Sequence, residues 1–150
     1  MAITPPFNPI NLSVHIQCSP AEVWWNLTTP GLMKGWMVDP GMELGIYSDW
    51  KVGSPITMKG SQHGMGFTNT GTITAYEPEK EFAYTHLSSI SHLPEKPENY
   101  CHLRFTLNPI ENGTQLALHI QNFPTESIYK HMDFYWRGSM EILKEKLEAK

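Results

Sequence analysis

Residues 125 to 147 read TESIYKHMDFYWRGSMEILKEKL, and the apolar side chains Ile128, Met132, Trp136, Met140, Leu143 and Leu147 recur in it by fours and a single three. That spacing follows the 3.6-residue turn of an α-helix, so the six form one stripe. Thr125, after Phe123-Pro124, stands where an N-cap is needed. A helix of this length crosses a whole sheet, and its stripe needs an apolar sheet face to cover it.

The segments before it supply that face. Leu12-Ser13-Val14-His15-Ile16-Gln17-Cys18 alternates strictly, which points Leu12, Val14, Ile16 and Cys18 inward from a first strand. Ser19-Pro20-Ala21-Glu22 then combines a Ser N-cap, a Pro at the first helical position and a Glu three residues on. It starts a short helix through Thr28, and Thr29-Pro30 starts a second through Leu32, Met33 and Trp36. Period-two patterning broken by turn residues predicts four strands near residues 42–47, 55–60, 67–77 and 81–88, followed by a polar loop over 89–99. Cys101, Leu103, Phe105 and Leu107 alternate up to Asn112-Gly113, and Leu116, Leu118 and Ile120 follow. A two-residue type I′ turn there sets Leu107 opposite Leu118 and Phe105 opposite Ile120, with both rows on one face. The fold class is therefore α+β: strand, two short helices, an antiparallel run, and one long helix.

The chain has 150 residues, 40% of them hydrophobic and 17% charged, which suits a single domain over 1–150 with residues 1–10 as a loose lead-in. Eleven basic against fifteen acidic residues give a net charge of −4, so nucleic acid is not an expected partner. Two cysteines, Cys18 and Cys101, are too few for a disulfide framework and fit a reducing, cytoplasmic setting. The first residues lack the basic and apolar regions of an export signal, and no apolar run is long enough to span a membrane.

Residues along nearly the whole chain resemble the proteins similar to the activator of heat-shock protein 90 ATPase, within the START-like, Bet v 1-like helix-grip superfamily. The resemblance is carried by Ser19-Pro20-Ala21-Glu22-Val23-Trp24 with Leu27-Thr28 and Trp36, and by Gly71-Thr72-Ile73 and Glu77-Pro78 through Phe82 and Tyr84. Phe105-Thr106-Leu107, Gly113-Thr114-Gln115-Leu116, and Trp136 with Leu143-Lys144 and Leu147-Glu148 complete it. It implies a curved seven-stranded antiparallel sheet gripping the C-terminal helix, with a cavity between them. The co-chaperone that names the family has a separate N-terminal domain, for which this chain leaves no room, so contact with a chaperone is not the leading expectation.

Candidate chemistry is sparse. Of seven histidines none stands in an H-E-x-x-H pattern, and His102 and His119 fall on outward positions about four residues out of register, roughly 13 Å apart. No metal and no cofactor is expected. His86 shares strand parity with Phe82 and Tyr84, so it points inward if Phe82 does, as a polar tip in a cavity or as a residue bonded to a loop. No G-x-S-x-G elbow occurs, neither cysteine has a partner that predicts a thiolate, and Glu77 with Glu79, or Glu95 with Glu98, read as solvated charge. Gly64-Met65-Gly66 lacks the lysine and helix of a phosphate loop.

Trp24, Trp36, Trp136, Tyr135 and the methionines Met33, Met37, Met58, Met132 and Met140 read chiefly as core, and it is the resemblance that implies an adaptable apolar pocket among them. The expected ligand-binding set is Trp36, Tyr84, His86, Phe105, Leu118, Met132 and Trp136, holding a small apolar or amphipathic molecule without catalysis. The segments Lys59 to Gly66 and Ser89 to Asn99 would gate it. The alternatives are a cyclase- or hydrolase-like enzyme with His86 as acid or base, titrating between pH 5 and 8, and a chaperone-activating interaction module. Either a monomer or a homodimer is compatible with the sequence.

Overall fold

The computed structural model describes residues 7–37 and 42–149. The opening through Pro6, part of the expected lead-in, lies outside the described residues. The elements are β1 (Ile10–Ile16), α1 (Pro20–Thr28), α2 (Pro30–Met37), β2 (Glu43–Ser48), β3 (Pro55–Gln62), β4 (Met65–Glu77), β5 (Glu81–Ser88), β6 (Cys101–Ile110), β7 (Gly113–Gln121) and α3 (Glu126–Glu148). The segment between β5 and β6 carries two 3₁₀ turns, Ser89–Ser91 and Pro97–Asn99.

Seven antiparallel strands form one sheet in the order β1-β7-β6-β5-β4-β3-β2. Strands β2 to β7 run as a meander, while β1 closes the far edge on β7, so the chain must pass from one edge to the other through α1 and α2. This is the helix-grip arrangement of a curved sheet and a long C-terminal helix. Both helix starts are capped as their sequences require: Ser19 Oγ accepts from the Glu22 amide at 3.2 Å, and Thr125 Oγ1 from the Ile128 amide at 3.1 Å.

The hairpin between β6 and β7 departs from the expected register. Its turn residues are Glu111 and Asn112, of which only Asn112 has a positive φ, at 64°, and Ile110 pairs with Gly113. Leu107 therefore faces Leu116, Phe105 faces Leu118 and Leu103 faces Ile120. The slip is two residues, the side-chain period of a strand, so each side chain keeps its face and the inner row stays apolar. Two positive φ values, the mark of a type I′ turn, occur instead at His63 (52°) and Gly64 (78°), where Gln62 pairs with Met65. With the corrected register His119 pairs with Arg104 and His102 with Gln121, two residues apart rather than four. His119 is held by Asn11 Oδ1 at 2.8 Å from its Nδ1.

Curvature is built into β4. Its pairing with β5 shifts between Ile73 and Ala75, a bulge that bends the strand. Close by, a Cβ on Gly71 would lie 1.6 Å from the Thr85 carbonyl oxygen, so only glycine lets the two backbones approach this far. The concave face is filled by aromatic residues. Phe82 sits at their centre, with ring centroids 5.3 Å from Tyr84, 5.7 Å from Trp50, 6.2 Å from Tyr76, 6.3 Å from Phe105 and 6.4 Å from Trp24.

The C-terminal half of α3 is pinned to β1 and its sequel. Lys144 Nζ donates to the His15 carbonyl at 2.7 Å, the Gln17 amide to Glu148 Oε2 at 2.9 Å, and Cys18 Sγ to the Leu147 carbonyl at 3.2 Å. Met140, Leu143 and Leu147 are buried there. The N-terminal half stands over the β2–β5 side.

Candidate ligand cavity

Between that N-terminal half of α3 and the β2–β5 half of the sheet lies a cavity of about 410 Å³. This is within the range of pockets that enclose small organic ligands. The helix contributes Ile128, His131, Met132, Tyr135 and Trp136, which share one face at i, i+3, i+4, i+7 and i+8. The sheet contributes Leu44, Met58, Asn69, Tyr84, His86 and Cys101 among others, and Met37 closes the side from the end of α2. The rim carries Gln62 and Phe67 from the β3–β4 hairpin, and Ile90, Ser91 and Asn99 from the segment between β5 and β6. Phe67 lies across from Gly60, where a Cβ would come within 2.7 Å of its ring. That glycine gives the ring its place.

Four of the seven residues expected at the site, Tyr84, His86, Met132 and Trp136, lie on the cavity wall. Trp36, Phe105 and Leu118 do not; all three are buried in the packed core beside it. The indole Nε1 of Trp36 donates to the Asn26 carbonyl at 3.0 Å, which ties α2 to the end of α1 and leaves the ring 6.2 Å from Trp136. Phe105 is stacked on Phe82 and edge-on to Trp136 at 5.6 Å, so it supports the wall from behind. Leu118 belongs to the β7 side, paired with Phe105 and Leu12, under the pinned half of the helix. Neither strand parity nor helical spacing separates these positions from the wall, because a core side chain and a cavity side chain both point inward.

Asn69 and His131 were missing from the expected set. His131 could have been found by widening the helix stripe to its i+3 neighbours. Asn69 could have been found as His86 was, from the parity it shares with Phe67 and Ile73 along β4. It pairs with Ser88 on one side and Met58 on the other, both on the wall, and its Oδ1 is buried with no hydrogen-bond partner among the described residues.

Burial governs the electrostatics. His86 is lowered to about 4, first by removal from water and second by the neighbouring His131, so its imidazole is neutral at physiological pH. Burial, and secondarily Tyr135, raises the Tyr84 phenol well above its ordinary range, and it stays a hydrogen-bond donor. Burial also pushes the Cys101 thiol up to about 12, which removes its nucleophilic form. Tyr135 hydroxyl donates to the Met37 carbonyl, joining α3 to the end of α2 at the cavity wall. Among the described residues no three His, Cys, Asp or Glu side chains come together as a metal site would require. No described helix is long and apolar enough to cross a membrane.

Residues 17–148 match the family described as activator of Hsp90 ATPase homolog 1-like protein. Among solved structures, the chain is similar to a Cytophaga hutchinsonii protein determined in solution, at 30% identity and TM-score 0.79, over 99% of this chain and 97% of that one. A Chromobacterium violaceum crystal structure agrees in fold at 21% identity and TM-score 0.81, covering 94% of this chain and 97% of that one. The solution structure of the Aha1 dimer from Colwellia psychrerythraea is 25% identical with TM-score 0.72, covering 95% and 97%. No curated protein matches the chain.

Proposed function

The chain belongs to the family of activator of Hsp90 ATPase homolog 1-like proteins, and from the cavity it carries we propose that it binds a small apolar or amphipathic molecule between the sheet and the N-terminal half of α3. The observation that carries this reading is the asymmetric packing of α3: its last turns are buried against β1, while Ile128, Met132 and Tyr135 nearer its start line the cavity. Binding would transfer apolar ligand surface out of water, about 0.8 kcal/mol per methylene buried. Tyr84 and His86 would orient a polar end. Entry would lie between the β3–β4 hairpin tip and the segment 89–99.

An enzymatic role for His86 fits less well. A group lowered to about 4 does not supply the titration between pH 5 and 8 expected of it, and the thiol of Cys101, its cross-strand partner on β6, is held protonated by burial.

Weighing the protein under non-denaturing and then denaturing conditions tests the binding reading; a mass lost on denaturation is the expected result. Titration with Nile red, a neutral apolar dye, gives the quantitative check. Met132→Ala should weaken its binding roughly tenfold, the worth of one partly lost apolar contact surface. A bare mass together with dye binding indifferent to Met132 would remove the cavity from consideration.

Self-association is a second reading, supported by the outer face of α3. Phe134 is 82% exposed there and Ile142 41%, with Gly138 between them on the same stripe. A relative of 25% identity is a dimer. Sedimentation equilibrium should give a reversible dimer, weakened at least about tenfold by Phe134→Lys, since a central aromatic anchor dominates such an interface. A monomer at the highest attainable concentration overturns this reading.

A further inference from the structure

Resting on the cavity reading above, we infer that the ligand is electrically neutral, with a hydrogen-bonding head seated at the Asn69–Ser88–His86 corner and an apolar body against the methionines. Among the described residues that line the cavity there is no Lys, Arg, Asp or Glu. The polar groups on the wall are amides, hydroxyls and imidazoles, among them Asn69, Tyr84, His86, Ser88, Ser127 and His131. Among the described lining residues, a carboxylate or phosphate leaving water would meet no lysine or arginine, and an ammonium no aspartate or glutamate. Either transfer costs several times what one hydrogen bond returns.

The head group's position follows from the strand register. Asn69 and Ser88 are direct cross-strand partners, and His86 is the next inward residue of β5. Asn69 Oδ1 is the buried side-chain acceptor without a hydrogen bond among the described residues. A buried acceptor of this kind is unfavourable until a donor reaches it. The neutral form of His86 agrees, since it adds a donor or acceptor and no charge. Met37, Met42, Met58 and Met132 line the rest of the space with flexible thioethers that adapt to an alkyl or ring surface.

Four ligands of equal chain length separate the possibilities: decanamide (a neutral donor and acceptor), methyl decanoate (neutral, acceptor only), decanoate and decylammonium. Their affinities would be measured by displacement of Nile red from the whole protein at pH 8, above the ordinary titration range of imidazole. Decanamide should bind at least about tenfold more tightly than either ion, and about tenfold more tightly than the ester, the usual consequence of pairing a buried acceptor. Asn69→Leu should erase the preference of amide over ester and leave ester binding near its original strength. Because the comparison of four ligands is made on the unaltered protein, it decides the matter even if that variant does not fold. Decanoate or decylammonium binding as tightly as decanamide overturns the neutral-ligand inference while leaving the cavity as a binding site. Failure of all four to displace the dye overturns the cavity reading itself, and the inference with it.

Discussion

Phe82→Ala should lower the unfolding free energy by about 3–5 kcal/mol, the range for a large aromatic removed from a core that cannot collapse around the gap. The ring is 1% exposed and touches five other aromatic rings contributed by α1, β4, β5, β6 and the segment after β2. Those neighbours sit on five separate segments, three of them strands of the curved sheet, so none can move into the space without shifting its own segment. Phe82 does not line the cavity. The loss should therefore appear in urea unfolding as a lower midpoint with an unchanged slope, while Nile red affinity, measured well below the transition, stays near its original value. A cost under about 1 kcal/mol would mean that the aromatic cluster is loosely packed.

Stability should also fall by on the order of 3 kcal/mol as the pH drops from 6.5 to 4, through His86 alone. The folded protein holds this imidazole down to about 4, because burial, and then His131, disfavour its charged form. In the unfolded chain it titrates near 6.5. Above 6.5 neither state binds the proton and the contribution is constant. Between the two values the unfolded state takes up a proton that the folded state refuses, so unfolding is favoured as the pH falls; below 4 both are protonated and the loss is complete. Glu148 acts in the same direction at lower pH: its carboxyl is depressed by the hydrogen bond from Lys144 and by the Gln17 amide, and protonation releases that tie. Comparing the protein with His86→Gln at each pH isolates the histidine, because Glu148 is common to both. The two stability profiles should converge as the pH falls from 6.5 to 4. Parallel profiles would show that His86 accepts its proton as easily in the folded protein as in the unfolded chain.

Both predictions concern residues whose inward direction could be read from strand parity. Phe82, Tyr84 and His86 alternate along β5, and the structure places all three on the concave face. What parity could not say is that Phe82 meets only protein while Tyr84 and His86 also meet open space. The same limit explains Trp36, Phe105 and Leu118, which are buried as their apolar character requires but stand one layer away from the cavity. The hairpin register shows another limit: Asn112-Gly113 marks a turn, yet the chain turns on Glu111 and Asn112 and pairs Gly113 within β7.

By itself, then, the sequence determined the elements, their order, their caps and the face each side chain takes, because those follow from the local periods of helix and strand and from short-range hydrogen bonds such as those of Ser19 and Thr125. Only the tertiary structure decided where the core ends and the cavity begins. That boundary depends on α3 being tied to β1 through Lys144, Leu147 and Glu148 at one end and to α2 through Tyr135 nearer its start. These contacts join residues some 100 or more positions apart, and no local pattern specifies the distance they leave between helix and sheet.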